Sequence, residues 1–157
     1  MSLRFYKGDI QQVTGNNIIV FGSNPEGRHG FGLAKLAFEK CGAQYHKGRG
    51  LQGNSYALIT KNLTAGYEEF LTGYVYEKEG YRSVPPKWIK ENIQELYMLA
   101  EYRKELKFFI GYKANSRNLN GYSSKEMIGF FLDGFTVPDN IRFHNSFRPV
   151  LRTMGYL

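Results

Sequence analysis

The sequence predicts an α/β domain with helices on both faces of a sheet. Three observations carry that reading. Short β-rich runs alternate with runs of helical spacing, the pattern of layered α/β architecture. The run Asn17-Ile18-Ile19-Val20-Phe21 is continuously apolar and β-branched, as a buried strand requires. Glycine- and asparagine-rich segments break the alternation near strand ends.

Taken in order, Phe5 and Tyr6 form a short opening strand, and Gly8, Asp9 and Ile10 turn after it. The buried strand ends at Gly22-Ser23-Asn24-Pro25-Glu26-Gly27. A helix begins near Gly32 and runs to about Cys41, with Leu33, Leu36, Ala37 and Phe38 as its apolar face and Gly42 as its stop. The glycine-rich, basic stretch 42–53 leads into a strand at Ser55–Thr60. Residues 61–82 hold four tyrosines and several glycines, and form an irregular excursion or a small extra hairpin. Pro85 and Pro86 suit the first turn of a helix, where a missing amide hydrogen costs little, and Ser83 is a candidate cap. Trp88, Ile89, Ile93, Leu96, Tyr97 and Ala100 give that helix a buried face up to about Glu105. Leu106–Ile110 is a strand, and 112–122 is a polar loop. Ser123 and Glu126 have capping-box spacing, ahead of a helix with Met127, Ile128 and Phe131 on its apolar face. Ile141–Phe143 is a late short strand.

The chain has 157 residues, the size of one domain, and one domain over 1–157 is expected. A single cysteine excludes an intramolecular disulfide and a Cys-based zinc cluster. His29, His46 and His144 show no ligand spacing, so no metal and no cofactor are expected. No apolar run approaches the ~20 residues that span a bilayer. Met1–Asp9 lacks the apolar core of a secretory signal, and the expectation is a soluble cytoplasmic protein with no membrane partner. The net charge of +7 favours anionic partners such as nucleic acid, nucleotides, phosphates or acidic proteins. The basic residues are scattered, and no standard nucleic-acid motif is present.

In open α/β sheets ligands bind beyond the carboxyl ends of strands. Three segments are assigned there: 22–32, 48–54 and 114–122. In the first, glycines permit close backbone approach, and amides at the following helix N-terminus suit a phosphate. Arg28 or His29 adds charge. The alternative is a flexible turn; the segment is neither a Walker loop nor a dinucleotide fingerprint. Asn24 has two readings: a brace hydrogen-bonding its own loop, or a site residue that fixes a sugar hydroxyl or orients a water. His29 is an exposed loop residue, a phosphate partner or an acid/base. Arg49, in the second segment, either neutralises a phosphate or belongs to a plain surface loop. Residues 115–121 supply donors, acceptors and sites that tolerate left-handed geometry, and lead to a helix N-terminus that attracts anions. Asp9 either stabilises its turn or accepts from an exocyclic amine or a sugar hydroxyl. Cys41 reads as packing.

The order of these loops resembles the macro-domain superfamily, and more closely its compact phage-encoded branch, over most of the chain. Gly8-Asp9-Ile10 resembles the family's opening motif, Asn24 its asparagine-bearing first loop, His29-Gly30-Phe31-Gly32 the His-plus-polyglycine stretch of phosphatase-like members, and Leu119-Asn120-Gly121-Tyr122 its second phosphate loop. Phe31 interrupts the usual glycine run, Asn118 stands where the family usually has glycine, and the segment after Thr60 departs from the family pattern.

The resemblance implies a three-layer α/β/α fold with a mixed central sheet and a cleft for ADP-ribose or a derivative. Asp9, beside Ile10, would take the adenine edge. Amides around His29, Gly30, Phe31 and Gly32 would hold one phosphate, and those of Ser116, Arg117, Asn118, Leu119, Asn120 and Gly121 the other. Asn24 would orient the distal ribose, and Tyr122 or Phe31 would wall the pocket. The implied activity is ADP-ribose 1″-phosphate phosphatase or ADP-ribosyl hydrolase, with Asn24 and His29 as catalytic candidates, acting in the host cytoplasm if phage-encoded. An ADP-ribosylated protein is then a possible partner. The alternatives are a nonenzymatic ADP-ribose reader, a basic RNA- or DNA-binding protein, and a structural module.

Overall fold

Successive side chains of a strand point to opposite faces, so a strand apolar at every position must be covered on both. The computed structural model, which describes residues 2–11 and 13–157, bears this out at β2 (Asn17–Ser23). Ile19 and Phe21 pack with Ala37 of α1 (Gly32–Lys40) on one face. Ile18 and Val20 face the larger core, built with α2 (Pro86–Tyr102) and α3 (Ser124–Leu132). Each fully buried large side chain contributes about 1.5–3 kcal/mol.

The sheet has six strands in the order β1–β8–β7–β2–β4–β3. β4 (Ser55–Ile59) and β7 (Lys107–Ile110) flank β2 in parallel, with Ile19 opposite Ser55 and Ile18 opposite Phe108. β8 (Ile141–His144) and β1 (Phe5–Tyr6) extend the parallel set, while β3 (Gly50–Gln52) runs antiparallel on the far edge. The result is a mixed sheet between helical layers, a three-layer α/β/α arrangement. The chain leaves β2 through α1 toward β4, then returns through α2 to β7 on the other side of β2. The loops after β2 and β7 therefore diverge at the carboxyl edge of the sheet, which opens a crevice there.

Some local details bear out the sequence reading and others differ from it. Residues 61–82 contain a two-stranded hairpin, β5 (Tyr67–Glu68) and β6 (Val75–Tyr76). It docks on α2, where the Tyr74 ring stacks on Trp88 at 4.3 Å. Ser83 does not cap α2. Its hydroxyl donates to the Gly80 carbonyl at 2.8 Å and accepts from the Asn62 amide at 2.7 Å, closing the base of the excursion. Phe38 is exposed, because α1 rests on the sheet along a narrow line centred on Ala37. The capping box of Ser123 and Glu126 is present at α3. α4 (Arg148–Met154) follows a 3-10 turn at Asn145–Phe147 and buries Leu151 in the larger core. Among the described residues, no helix is long and apolar enough to cross a membrane.

Candidate functional site

Close backbone approach creates the crevice. A Cβ on Gly111, just past β7, would lie 2.1 Å from Leu33 Cδ2 and 2.7 Å from the Val20 carbonyl. Only glycine lets the first turn of α1 sit against the ends of β2 and β7. At Gly22 a Cβ would meet the Tyr112 hydroxyl at 2.6 Å. Tyr112 thus lies across the end of β2 and hydrogen-bonds Thr60 at 3.1 Å, and burial pushes its phenol up to about 12.

Above this floor lies a cleft of about 580 Å3. Its walls come from the loops after β2, β4 and β7, and include Gly30, Phe31, Gly32, Thr60, Lys61 and Ser116. Four cationic side chains line it, namely Arg28, Lys61, Lys113 and Arg117, and none of the described lining residues is acidic. The N-terminus of α1 opens here without a side-chain cap and without an acidic residue in its first turn. The amides of Gly32, Leu33 and Ala34 have no carbonyl to meet inside the helix, so an anion in the cleft meets donors as well as positive charge.

Asp9 and Ile10 line an adjoining pocket of about 340 Å3, which shares Gly32, Leu33, Gly111, Lys113 and Ser116 with the cleft. The Asp9 carboxylate accepts a hydrogen bond from Lys113, and that bond together with the lysine charge holds its carboxyl below the usual range. His144 steadies this corner. Its Nε2 reaches the Gly8 carbonyl at 3.0 Å and its Nδ1 lies 2.7 Å from the Ser146 hydroxyl, which accepts from the Ala114 amide at 2.9 Å.

Asn24 braces its loop. Its Nδ2 donates to the Arg28 carbonyl and its Oδ1 accepts from the Arg28 amide, each at 3.0 Å. It lines the cleft from a nearly buried position. His29, in contrast, is only 1% exposed and is absent from the cleft wall. Its Nε2 faces the Lys47 carbonyl at 3.1 Å, and its ring packs edge-on against Phe21. Burial holds its pKa below the ordinary imidazole value. The flanking Arg28 takes the outward position instead.

In the second loop, Ser116, Arg117, Asn118, Leu119 and Asn120 all line the cleft. Asn118 does not adopt positive φ; its side chain donates to the Tyr122 carbonyl at 2.9 Å. Asn120 is buried and accepts from the Tyr122 amide at 2.9 Å. Gly121 supplies the left-handed turn at φ 87° and lies outside the cleft, as does Tyr122, a core residue whose hydroxyl donates to the Val84 carbonyl at 2.7 Å. Phe31 does wall the cleft, from an exposed position. The α3 N-terminus does not present itself as an anion site, because Glu126 already occupies it through the capping box.

The segment 48–54 lies elsewhere. It forms β3 and the turn into β4. Arg49 meets Glu69 and Glu95, not the cleft. A Cβ on Gly48 would come within 2.1 Å of the Asn24 carbonyl, so this segment supports the first loop from beneath.

The sequence reading missed Lys61, Lys113, Thr60 and Tyr112 as site residues. Each directly follows β4 or β7, and that position was the available signal. Among the described residues, no group of three or more His, Cys, Asp or Glu side chains is placed to hold a metal ion. Comparison of the chain with protein-family models, curated proteins and solved structures finds no match.

Proposed function

We propose that the cleft binds ADP-ribose or a closely related nucleoside-diphosphate sugar. The observation that carries this reading is the meeting of four cations and the uncapped α1 N-terminus in a cleft without acidic walls. A diphosphate matches that field: amides of Gly32 to Ala34 take one phosphate, and Lys61, Lys113 and Arg117 neutralise the pair. The adjoining pocket then receives the base, with Asp9 as acceptor for an exocyclic amine after it releases Lys113 to the phosphates. The macro-domain resemblance selects ADP-ribose from this ligand class.

Binding is the core of the proposal, and hydrolysis is its second part. His29 does not reach the cleft, so phosphatase chemistry would rely on a water set by the Asn24 loop and the ligand phosphate. A ligand panel separates these possibilities. Calorimetry with ADP-ribose, its 1″-phosphate, NAD and short RNA is run beside an assay of phosphate release. Saturable ADP-ribose binding supports the reading, and phosphate release adds the enzyme. Binding of none of the nucleotides by the folded protein contradicts it.

A further inference from the structure

An outer cavity of about 1120 Å3 shares the Ser116–Leu119 rim with the cleft. Its lining includes Arg82, Arg117 and Lys125, and no described lining residue is acidic. Tyr81 projects into it and is 73% exposed. An exposed tyrosine on a loop ordinarily costs nothing to leave mobile, yet this one is held on several sides. A Cβ on Gly121 would sit 2.6 Å from the Tyr81 ring, so the ring lies flush on a glycine backbone. The Arg82 guanidinium lies 5.6 Å from the Tyr81 ring centre and 4.8 Å from that of Tyr122, and donates to the Tyr81 hydroxyl at 3.2 Å. Glu126 fixes the guanidinium from the other end at 2.5 Å. Arg82 also holds φ 51°, a left-handed backbone that a long side chain rarely adopts, and its amide is tied to the Asn120 carbonyl at 2.8 Å.

We infer that this outer cavity is a binding site for single-stranded nucleic acid, with Tyr81 as a stacking platform and Lys125 and Arg117 as phosphate contacts. A braced, exposed ring beside cations that make no ion pair among the described residues is the combination that single-strand recognition requires, because stacking tolerates any base and the cations follow the backbone. A free phosphate needs no ring. An acidic peptide needs no flat platform. Tyr81 and Lys125 line the outer cavity and not the cleft, while Arg117 stands on the rim the two share, so the test is placed on Tyr81 and Lys125.

The test is fluorescence anisotropy with labelled dT and rU oligomers of about eight nucleotides, within the site size of known single-strand binders. The wild-type protein should bind them. Tyr81→Ala should weaken binding about 5- to 100-fold, and Tyr81→Trp should restore it. Lys125→Ala should reduce the slope of log K against log salt by about 0.7, the single-strand value for one phosphate contact. Thermal midpoints confirm that the exposed-residue variants remain folded. No binding to folded wild-type protein overturns the inference. So does binding that Tyr81→Ala leaves unchanged, or inorganic polyphosphate that binds equally well and equally without regard to Tyr81. Calorimetry with ADP-ribose on the same samples keeps the two sites apart: loss of oligomer binding by Tyr81→Ala with ADP-ribose binding retained supports a separate outer site.

Discussion

Leu33 and Gly111 fit together so closely that a Cβ on the glycine would lie 2.1 Å from Leu33 Cδ2. This contact sets how near the α1 N-terminus comes to the end of β7. Gly111→Ala must displace the leucine and also relieve a 2.7 Å clash with the Val20 carbonyl, which is backbone and cannot rotate away. Overpacking of this kind costs about 1–3 kcal/mol. Urea denaturation should show that loss, and Leu33→Ala in the same chain should recover only part of it. Unchanged stability in Gly111→Ala would contradict the packing account.

Arg49 and Glu69 form a two-pronged ion pair, Nε to Oε2 at 2.7 Å and Nη2 to Oε1 at 2.9 Å, beneath the β5–β6 hairpin. Tyr76 and Thr72 also donate to the Glu69 carboxylate. Removing Arg49 leaves the Glu69 carboxylate buried without its charge partner, at a cost of about 3–5 kcal/mol, whereas removing Glu69 leaves Arg49 its second pair with Glu95 at 3.1 Å and costs less. Arg49→Met should destabilise strongly and Glu69→Gln less so, while the double variant should be less harmful than the sum. A double-mutant cycle of denaturation midpoints measures this, and additive losses would refute the coupling.

The same pair gives stability an acid dependence. Burial raises the Glu69 pKa, but the Arg49 and Tyr76 hydrogen bonds and the arginine charge outweigh it and leave the carboxyl below its ordinary value. The unfolded chain therefore binds this proton first as pH falls. The stabilisation is complete above the ordinary carboxylate range and is lost as pH drops through and below it. Glu69→Gln should flatten that part of the stability-against-pH curve relative to wild type. An identical curve would show that the pair carries no such linkage.

His29 adds a second dependence at higher pH. Its burial against Phe21 lowers its pKa, so below the ordinary imidazole value of 6.5 the unfolded state takes up a proton that the folded state resists. Stability should be complete above that range and decline as pH falls through it. His29→Gln should remove the decline even if it lowers stability overall. The thermal midpoint followed from pH 8 to 5 reads the difference; parallel wild-type and variant curves would contradict it.

Asn24 makes both of its loop hydrogen bonds to the backbone of one residue, Arg28. Each such bond contributes about 0.5–1.5 kcal/mol net. Asn24→Ala should loosen the loop that delivers Gly30 to Gly32 and weaken ADP-ribose binding, whereas Asn24→Asp keeps the acceptor and loses the donor. Equal affinity for wild type and Asn24→Ala, read by calorimetry, would mean the loop needs no brace.

Much of the architecture was legible because it rests on local signals. The unbroken apolar run of β2, the paired prolines of α2 and the Ser123–Glu126 box each state their structure within a few residues. α4 left signals too, Pro149 in its first turn and Gly155 at φ 85° after its end, but its seven residues bury only Leu151 fully, too few for a periodic pattern. β3 is three residues long and contains a glycine, so its pairing depends on β4 and not on its own composition. The candidate site was half legible for a related reason. Glycine and asparagine mark the loops after β2 and β7, but which strands lie side by side is a tertiary fact. Lys61 and Lys113 become neighbours of the Asn24 loop only through the order β4–β2–β7. His29 and Tyr122 show the converse: a polar ring beside glycines read as ligand chemistry, and packing against Phe21 for the first and a hydrogen bond to the Val84 carbonyl for the second turned both inward.

Amide chemical-shift mapping during an ADP-ribose titration tests the central claim most directly. The account predicts saturable shifts concentrated at Gly32, Leu33, Ala34, Lys113 and Ser116, with the outer face of α2 unmoved. Absence of shifts at those amides, or a response centred on another surface of the folded protein, would contradict it.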